Sequence, residues 1–210
     1  MQSQIFRESQ GPGFPSEGRL LPQELSSPLL VSERLVLRAP EMTDTNAIAH
    51  LANNINVASK VSRMPHPYMQ KDAENFVARV ASGAMGKCVY AITRNDSRDF
   101  IGGCALEMLP CGRGMEIGYW LGEPYWNKGF ATEAAQTLID FGFRHSDIDF
   151  IDGRVRVMNI GSRRVLQKCG FQFQGTGMAE SLALGGTVAV EWFRLDRKTW
   201  GSLRHWGGAR

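Results

Sequence analysis

The chain has 210 residues, of which 43% are hydrophobic, and its 24 lysines and arginines against 21 acidic residues give a formal net charge of +3. That length is sufficient for one domain with its own hydrophobic core. A net charge this small, without a dense basic patch, does not favour a nucleic-acid partner. No segment approaches the ~18 consecutive apolar residues of a membrane-spanning helix, so no membrane association is predicted.

The cysteines and the N-terminal sequence favour a cytoplasmic protein. The chain has four cysteines, with no Cys-x-x-Cys pair and no Cys/His cluster at zinc-binding spacing, so it is predicted to hold reduced thiols and no metal. The sequence at the N-terminus contains no apolar core of a secretory signal peptide.

Composition divides the chain into three parts. Residues 1–28 are rich in Gln, Ser, Gly and Pro and show little periodicity, so they are predicted to be a flexible extension, with a segment packed late onto the domain as the alternative. A single domain is predicted over residues 29–200, followed by a C-terminal tail at residues 201–210. No internal repeat is present.

The first half of the domain contains both strand and helix patterns. The sequence MPHPY, with two prolines, separates two helices. The predicted elements are a strand with Leu35 and Leu37 on one face, a helix capped by Thr43 or Asp44 that continues through Ile48 and Leu51, a second helix from about Lys71 to Ala81, and two strands, Cys88 to Thr93 and Phe100 to Met108.

The most informative stretch covers residues 115–143. Its first seven residues alternate as in a strand, Pro124 forces a loop, and from Ala131 the i, i+3, i+4 spacing of apolar residues predicts a helix. The backbone N–H groups of residues 127–132 lie at the start of this helix, where they lack partners and favour an anion. An ordinary turn in which Gly129 relieves strain is the alternative. Neither the phosphate-loop motif nor the Gly-x-Gly-x-x-Gly fingerprint is present.

The last third of the domain completes the element order β-α-α-β-β-β-α-β-α-β-β, which predicts an α/β fold. A strand from about Phe150 to Val157, a helix from Ile160 to Lys168, and a hairpin of residues 171–174 and 187–195 are predicted. Basic residues surround this helix, and they either form a solvated face or assist a phosphate-bearing ligand. These residues are Arg154, Arg156, Arg163, Arg164 and Lys168.

Two motifs resemble those of the GNAT (Gcn5-related N-acetyltransferase) superfamily, over roughly residues 31–197. The loop Trp126-Asn127-Lys128-Gly129-Phe130-Ala131 is similar to the family motif Gln/Arg-x-x-Gly-x-Gly/Ala. Trp126 departs from the first position, and a tryptophan there is common in the RimJ/RimL type, the ribosomal-protein N-terminal acetyltransferases. Residues 159–171, which begin Asn159-Ile160-Gly161-Ser162 and end Gly170-Phe171, resemble the family stretch Asn-x-x-Ser…Leu…Gly-Phe.

The resemblance implies the GNAT fold, a mixed central sheet splayed at its middle strands with helices on both faces, and acetyl-CoA as cofactor. The main chain of Tyr119, Trp120 and Leu121 is then expected to pair with the pantetheine arm. The side-chain amide of Asn159 is expected to bond the same arm, with helix capping as its alternative role. The diphosphate is assigned to the main-chain amides of Asn127, Lys128, Gly129, Phe130, Ala131 and Thr132.

The resemblance also implies direct attack of an amine on the thioester. Many GNAT enzymes place a tyrosine acid seven residues after the motif asparagine, but Leu166 occupies that position. Ser162 is the expected replacement, and a local bond in the first turn of its helix is the alternative. A backbone N–H near Leu121 is expected to stabilise the oxyanion. Glu116 is the first choice for general base and Glu107 the second, and either could instead be a solvated strand residue.

The acidity of the amine favours one class of acceptor. An α-amine with a pKa of ~7.7–8.0 loses its proton easily near pH 7, whereas a lysine amine at ~10.4 does not. A site without an obvious buried carboxylate therefore favours an α-amine, or a weakly basic small-molecule amine, over lysine. A protein N-terminus is the leading expectation. A small amine (a polyamine, an amino acid or an antibiotic) and a non-catalytic acyl-CoA-binding module are the alternatives. Arg63, His66 and Tyr68 are candidates for an acceptor loop, and the resemblance also suggests a homodimer.

Overall fold

The computed structural model describes residues 28–86 and 88–207, so the predicted extension lies outside the described residues except for residue 28. The strands are β1 (Leu30–Val31), β2 (Leu35–Arg38), β3 (Val89–Arg94), β4 (Phe100–Met108), β5 (Gly114–Leu121), β6 (Phe150–Arg156), β7 (Gln172–Ser181) and β8 (Gly186–Asp196). The helices are α1 (Thr45–Ala52), α2 (Ile55–Ala58), α3 (Gln70–Ala81), α4 (Phe130–His145), α5 (Ile160–Lys168) and α6 (Arg197–Gly207).

The strands form one mixed sheet in the order β1-β2-β3-β4-β5-β6-β8-β7. Neighbours are antiparallel except for the parallel pair β5–β6. That pair is held only over residues 114–117 and 150–153, whereas β5 continues to Leu121 against β4 and β6 continues to Arg156 against β8. The sheet therefore opens into a V beyond these pairs, which confirms the predicted splayed sheet.

Helices cover both faces of the sheet because the strands bury alternate side chains toward each face. On one face, α4 and α5 contribute Leu138 and Leu166 to a cluster that includes Ile117 of β5. On the other face, α1 and α3 pack through Ile48 and Val77. Full burial of each such aliphatic side chain contributes about 1.5–3 kcal/mol. Because α4 follows β5 and α5 follows β6, both helices begin near the wide end of the V.

The observed elements confirm the predicted order and add some that local pattern did not indicate. β7 extends well beyond residues 171–174 because its pairing with β8 defines it, while most of its side chains stay exposed. α6 crosses the predicted boundary at residue 200, and Trp200 explains it, since this side chain stacks on Phe143 at 5.0 Å and donates to Asp140 at 2.7 Å. Of the helices described, none combines the length and hydropathy that a membrane crossing requires.

Candidate active site

The inner edge of β5 presents main-chain groups to the V. Gly122, just after β5, donates its N–H to a carbonyl of β4 at 2.9 Å, and bonded pairs in an antiparallel ladder recur every second residue. Trp120 is therefore bonded to β4, whereas the main chains of Tyr119 and Leu121 point into the V. The Leu121 carbonyl accepts Nε1–H of Trp126 at 2.8 Å. The Tyr119 main chain and the Leu121 N–H thus form the open edge. By the same alternation the Trp120 main chain faces β4, and its pairing with the pantetheine arm stays a prediction.

The loop between β5 and α4 contains two residues in the left-handed region, Asn127 at φ +61° and Gly129 at φ +81°. The first backbone bond of α4 runs from the Glu133 N–H to the Gly129 carbonyl at 3.1 Å. Within the described chain, the N–H groups of residues 127–132 find no acceptor. Free donors at the positive end of the α4 dipole suit a diphosphate, and the assignment of the diphosphate to this loop stays a prediction.

Contacts from the α1–α2 region fix the entry to this loop. Asn54 donates to the Glu123 carboxylate at 2.6 Å, and Asn56 donates to it at 3.2 Å. These hydrogen bonds lower the pKa of Glu123. The Lys60 ammonium lies 3.9 Å from the centroid of the Trp126 ring. Residues 54–60, in and around α2, therefore contact both ends of residues 123–126, which precede the loop.

Asn159 caps α5, the helix that follows β6 on the side of the V opposite β5. Its Oδ1 accepts the N–H of Ser162 at 3.1 Å, which confirms the capping role that the sequence left as an alternative. Among the described residues, the amide –NH2 of Asn159 has no acceptor. That group remains able to donate to a ligand in the V, so the two roles are compatible.

A tyrosine hydroxyl lies beside Ser162. The Tyr119 Oη is 2.9 Å from the Ser162 Oγ, and it donates to the Ser162 carbonyl at 3.2 Å. Burial raises the pKa of Tyr119 above its ordinary value and outweighs the Ser162 bond that lowers it, so this hydroxyl is protonated at neutral pH. The sequence analysis used only the main chain of Tyr119. Its alternation with Ile117, on the face covered by α5, was the signal for the side chain.

Both carboxylates predicted as general base are bound by arginines. Glu116 accepts from Arg154 twice, from Nε at 2.9 Å and from Nη2 at 2.6 Å. Glu107, which lies opposite Glu116 on β4, accepts from Arg63 at 2.6 Å. A guanidinium that donates in this way occupies carboxylate lone pairs. Neither carboxylate is therefore an unpartnered proton acceptor.

The basic residues around α5 are mostly engaged within the protein. Arg154, Arg156 and Arg163 donate to carboxylate or carbonyl groups of neighbouring elements. Lys168 is exposed and borders a cavity of about 330 Å³ beside Gly129. The structure thus gives most of this cluster a structural role and leaves Lys168 near the loop.

A strap, defined as residues 59–63, crosses the wide end of the V. The Ser59 carbonyl accepts from Arg156 at the end of β6, and Lys60 lies over Trp126, beyond the end of β5. Ser59 and Lys60 thus contact the two sides of the V, at the ends of β6 and β5 respectively. The Ser62 carbonyl, further along the strap, accepts the backbone N–H of Leu182, in the turn after β7, at 3.0 Å. The strap therefore bounds the V on the side of α1 and α3.

The residues predicted for an acceptor loop lie on two surfaces. Arg63 reaches Glu107 on β4. His66 and Tyr68 instead line a cavity of about 820 Å³ against α1 and Glu123. Burial, helped by the nearby Asp72 carboxylate, raises the pKa of Tyr68 to about 12. Of the three residues, only Arg63 lies near the candidate bases.

Comparison with known proteins decides the family. The model of the acetyltransferase (GNAT) domain matches residues 34–172. The chain belongs to the GNAT acetyltransferase family. This GNAT protein is 29% identical, over 174 residues, to the uncharacterized N-acetyltransferase p20 of Bacillus licheniformis, and the match covers 80% of this chain and 96% of p20. It is accordingly an acetyl-CoA-dependent N-acetyltransferase, which confirms the predicted enzyme class and cofactor.

Solved structures with the same fold include two of the RimJ/RimL type. RimL, a ribosomal L7/L12 α-N-protein acetyltransferase in complex with coenzyme A, aligns with a TM-score of 0.69 and 20% identity over 80% of this GNAT chain and 98% of RimL. Mycobacterium smegmatis RimJ, in complex with CoA-disulfide, aligns with a TM-score of 0.68 and 19% identity over 82% and 87% of the two chains. The predicted fold is therefore confirmed.

Proposed function

We propose that this GNAT enzyme transfers the acetyl group of acetyl-CoA to the α-amine of a protein N-terminus. The observation that carries the proposal is the pairing of Glu116 with Arg154 and of Glu107 with Arg63. An acceptor amine that enters the V meets no unpaired carboxylate on these strands. The acceptor must then lose its proton without much help from the enzyme.

The pKa of the acceptor amine decides the free-energy cost of removing its proton. Near pH 7, deprotonation of an α-amine with a pKa of ~7.7–8.0 costs about 1 kcal/mol, whereas a lysine amine at ~10.4 costs about 5 kcal/mol. The difference of about 4 kcal/mol corresponds to nearly three powers of ten in rate. An α-amine is therefore the better acceptor for this site.

The cofactor supplies an activated thioester, and the chain supplies binding and orientation. In the proposal, the amides of residues 127–132 bind the diphosphate. The Tyr119 main chain and the Asn159 amide bond the pantetheine arm, which lies along β5 as an added strand would. The N–H of Leu121 points into the V, where it would donate to the acyl oxygen as negative charge develops. A well-aimed donor of this kind contributes about 3 kcal/mol.

The proton for the leaving thiolate is assigned to Ser162, supported by Tyr119. The Ser162 hydroxyl would donate its proton to the leaving thiolate and recover one from the positively charged amine nitrogen of the tetrahedral intermediate. The Tyr119 hydroxyl, 2.9 Å away, would donate a hydrogen bond to the serine oxygen during this transfer. Burial keeps Tyr119 protonated. The pair would thus do the work of the tyrosine that Leu166 replaces.

A small amine is the second candidate acceptor, and the strap favours it. Contacts of Ser59 with Arg156 and of Lys60 with Trp126 span the V, which narrows the route for a folded polypeptide. A flexible N-terminal tail of a few residues would still pass. The name of RimL, which refers to α-N-acetylation of ribosomal protein L7/L12, supports the protein acceptor.

A panel of acceptors distinguishes the two candidates. Thiol release from acetyl-CoA would be measured with peptides that have a free α-amine, with the same peptides blocked at the N-terminus but containing lysine, and with polyamines and amino acids. We expect turnover with the free α-amine peptides and at least about 100-fold less with the blocked ones, from the pKa difference. Turnover with small amines alone would establish the second candidate instead. A homodimer and a cytoplasmic location stay predictions.

A further inference from the structure

A side chain outside both sequence motifs contacts the loop before α4. Arg34 Nη1 donates to the Lys128 carbonyl at 3.0 Å, and its guanidinium carbon lies 4.7 Å from the centroid of the Phe130 ring. Its Nε and Nη2 each lie 2.7 Å from the Glu133 carboxylate. One side chain thus contacts the loop, the first helical residue and the first turn of α4.

The contact with Lys128 fixes the orientation of a peptide unit. In a planar trans peptide, the C=O and the following N–H point in opposite directions. The Lys128 carbonyl points toward Arg34, so the N–H of Gly129 points away from it. A Cβ on Gly129 would lie only 3.2 Å from Arg34 Nη2, which shows how closely the guanidinium approaches this peptide.

The contact with Glu133 removes a charge that would oppose an anion. Glu133 borders the cavity of about 330 Å³ beside Gly129, and an unpaired carboxylate there would repel a diphosphate. Burial acts to raise the pKa of Glu133. Hydrogen bonds from the backbone N–H of Arg34 at 2.7 Å, from the Ser32 hydroxyl at 2.8 Å and from the Arg34 guanidinium lower that pKa below its ordinary value. The carboxylate is therefore ionised and fully paired.

We propose that Arg34 is a positioning residue for acetyl-CoA binding. It holds the Lys128–Gly129 peptide so that the Gly129 N–H faces the diphosphate, and it neutralises Glu133 beside that anion. The inference rests on the proposal that residues 127–132 bind the diphosphate. Arg34 acts through the loop and the helix turn, without a bond of its own to the transferred group.

Calorimetric titration with coenzyme A tests this role. Arg34→Ala is expected to weaken coenzyme A binding about 10- to 100-fold, the range for loss of charge-assisted bonds. The KM for acetyl-CoA should rise by a similar factor, with kcat at saturation nearly unchanged. Adding Glu133→Gln should recover part of the lost affinity, because it removes the repulsive carboxylate. Arg113→Ala, which breaks the ion pair with Asp149 near the opposite end of β5, is the matched control and should bind normally.

Acetyl-pantetheine, which lacks the diphosphate, separates the inference from its premise. Its kcat/KM should be the same in wild type and Arg34→Ala. If the wild type uses acetyl-pantetheine as well as acetyl-CoA, the assignment of the diphosphate to residues 127–132 fails. If the wild type prefers acetyl-CoA and Arg34→Ala keeps that preference, only the role of Arg34 is overturned.

A second variant keeps the test decisive if Arg34→Ala does not fold. Arg34→Lys retains the charge but cannot bridge Glu133 and the Lys128 carbonyl with a planar fork. Weaker coenzyme A binding with normal use of acetyl-pantetheine supports the positioning role. Unchanged coenzyme A affinity in Arg34→Lys contradicts it.

Discussion

Among single residues, ion pairs and hydrogen bonds decide which side chains are available to accept or donate a proton. Glu116 is closest to the split of the sheet, yet Arg154 occupies its lone pairs. Ser162 lies at the start of α5 with the protonated hydroxyl of Tyr119 beside it. Ser162 therefore stays the proposed proton donor, whereas neither candidate base is an unpaired carboxylate.

Ser162→Ala tests the proton donor. Loss of a general acid costs up to 10²–10⁴-fold in kcat, but the nearby Tyr119 hydroxyl would replace part of it, so we expect a decrease of about 10- to 100-fold with little change in the KM for acetyl-CoA. Steady-state rates at saturating acetyl-CoA measure the effect. Ser202→Ala, on α6, is the control, and unchanged kcat in both Ser162→Ala and Tyr119→Phe would remove the pair from the mechanism.

Glu116→Gln tests the expectation that Glu116 is not the general base. Because the carboxylate is engaged by Arg154 on a partly exposed surface, where ion pairs contribute about 0–1 kcal/mol, we expect kcat to stay within about threefold of wild type across pH 6–9. Comparison with Glu107→Gln controls for charge. A loss of two or more powers of ten in Glu116→Gln alone would make Glu116 the base after all.

At the level of elements, periodic segments were predictable and contacts between distant segments were not. β5, α4 and α5 carry clear alternation or helical spacing, and the glycine loop between β5 and α4 followed from them. α6 is fixed by Trp200, whose partners lie in α4. The contacts of Arg34 with Glu133 and of Tyr119 with Ser162 join residues that only the folded sheet brings together.

Gly129→Ala tests the loop as an element. An alanine at φ +81° is strained by about 1–2 kcal/mol, and its Cβ would press on Arg34 at 3.2 Å. We expect the KM for acetyl-CoA to rise about tenfold while kcat changes little. Gly112→Ala provides a matched control, since its φ is +67° but its Cβ would meet open space. Equal effects of the two substitutions on KM would mean that backbone strain alone, and not the ligand site, is responsible.

Across the whole molecule, the V stays open because β5 and β6 pair with each other only over residues 114–117 and 150–153 and then follow different neighbouring strands. β5 is paired with β4 and β6 with β8, and the strap bridges their ends. The same packing buries protonated thiols and phenols. Burial raises the pKa of Cys88 from an ordinary 9.0 to about 11 and that of Tyr68 from 10.0 to about 12.

These pKa shifts make the free energy of unfolding decrease with pH in the alkaline range. The unfolded chain releases the Cys88 proton near pH 9, but the native state retains it to about pH 11, so this stabilisation is complete below pH 9 and decreases as pH rises toward 11. Between pH 8 and 10.5 we expect the free energy of unfolding to fall by about 2 kcal/mol from Cys88 alone. Urea denaturation of wild type and Cys88→Ala measures it, and identical pH slopes would contradict the assignment.

Hydrogen–deuterium exchange with and without acetyl-CoA tests whether main-chain N–H groups bind the cofactor, because it reports on those amides themselves. We expect acetyl-CoA to slow exchange at the amides of residues 127–132 and at Tyr119 and Leu121, while Trp120, already bonded to β4, changes little. Protection confined to other segments, with residues 127–132 exchanging as fast as in the free protein, would contradict the account.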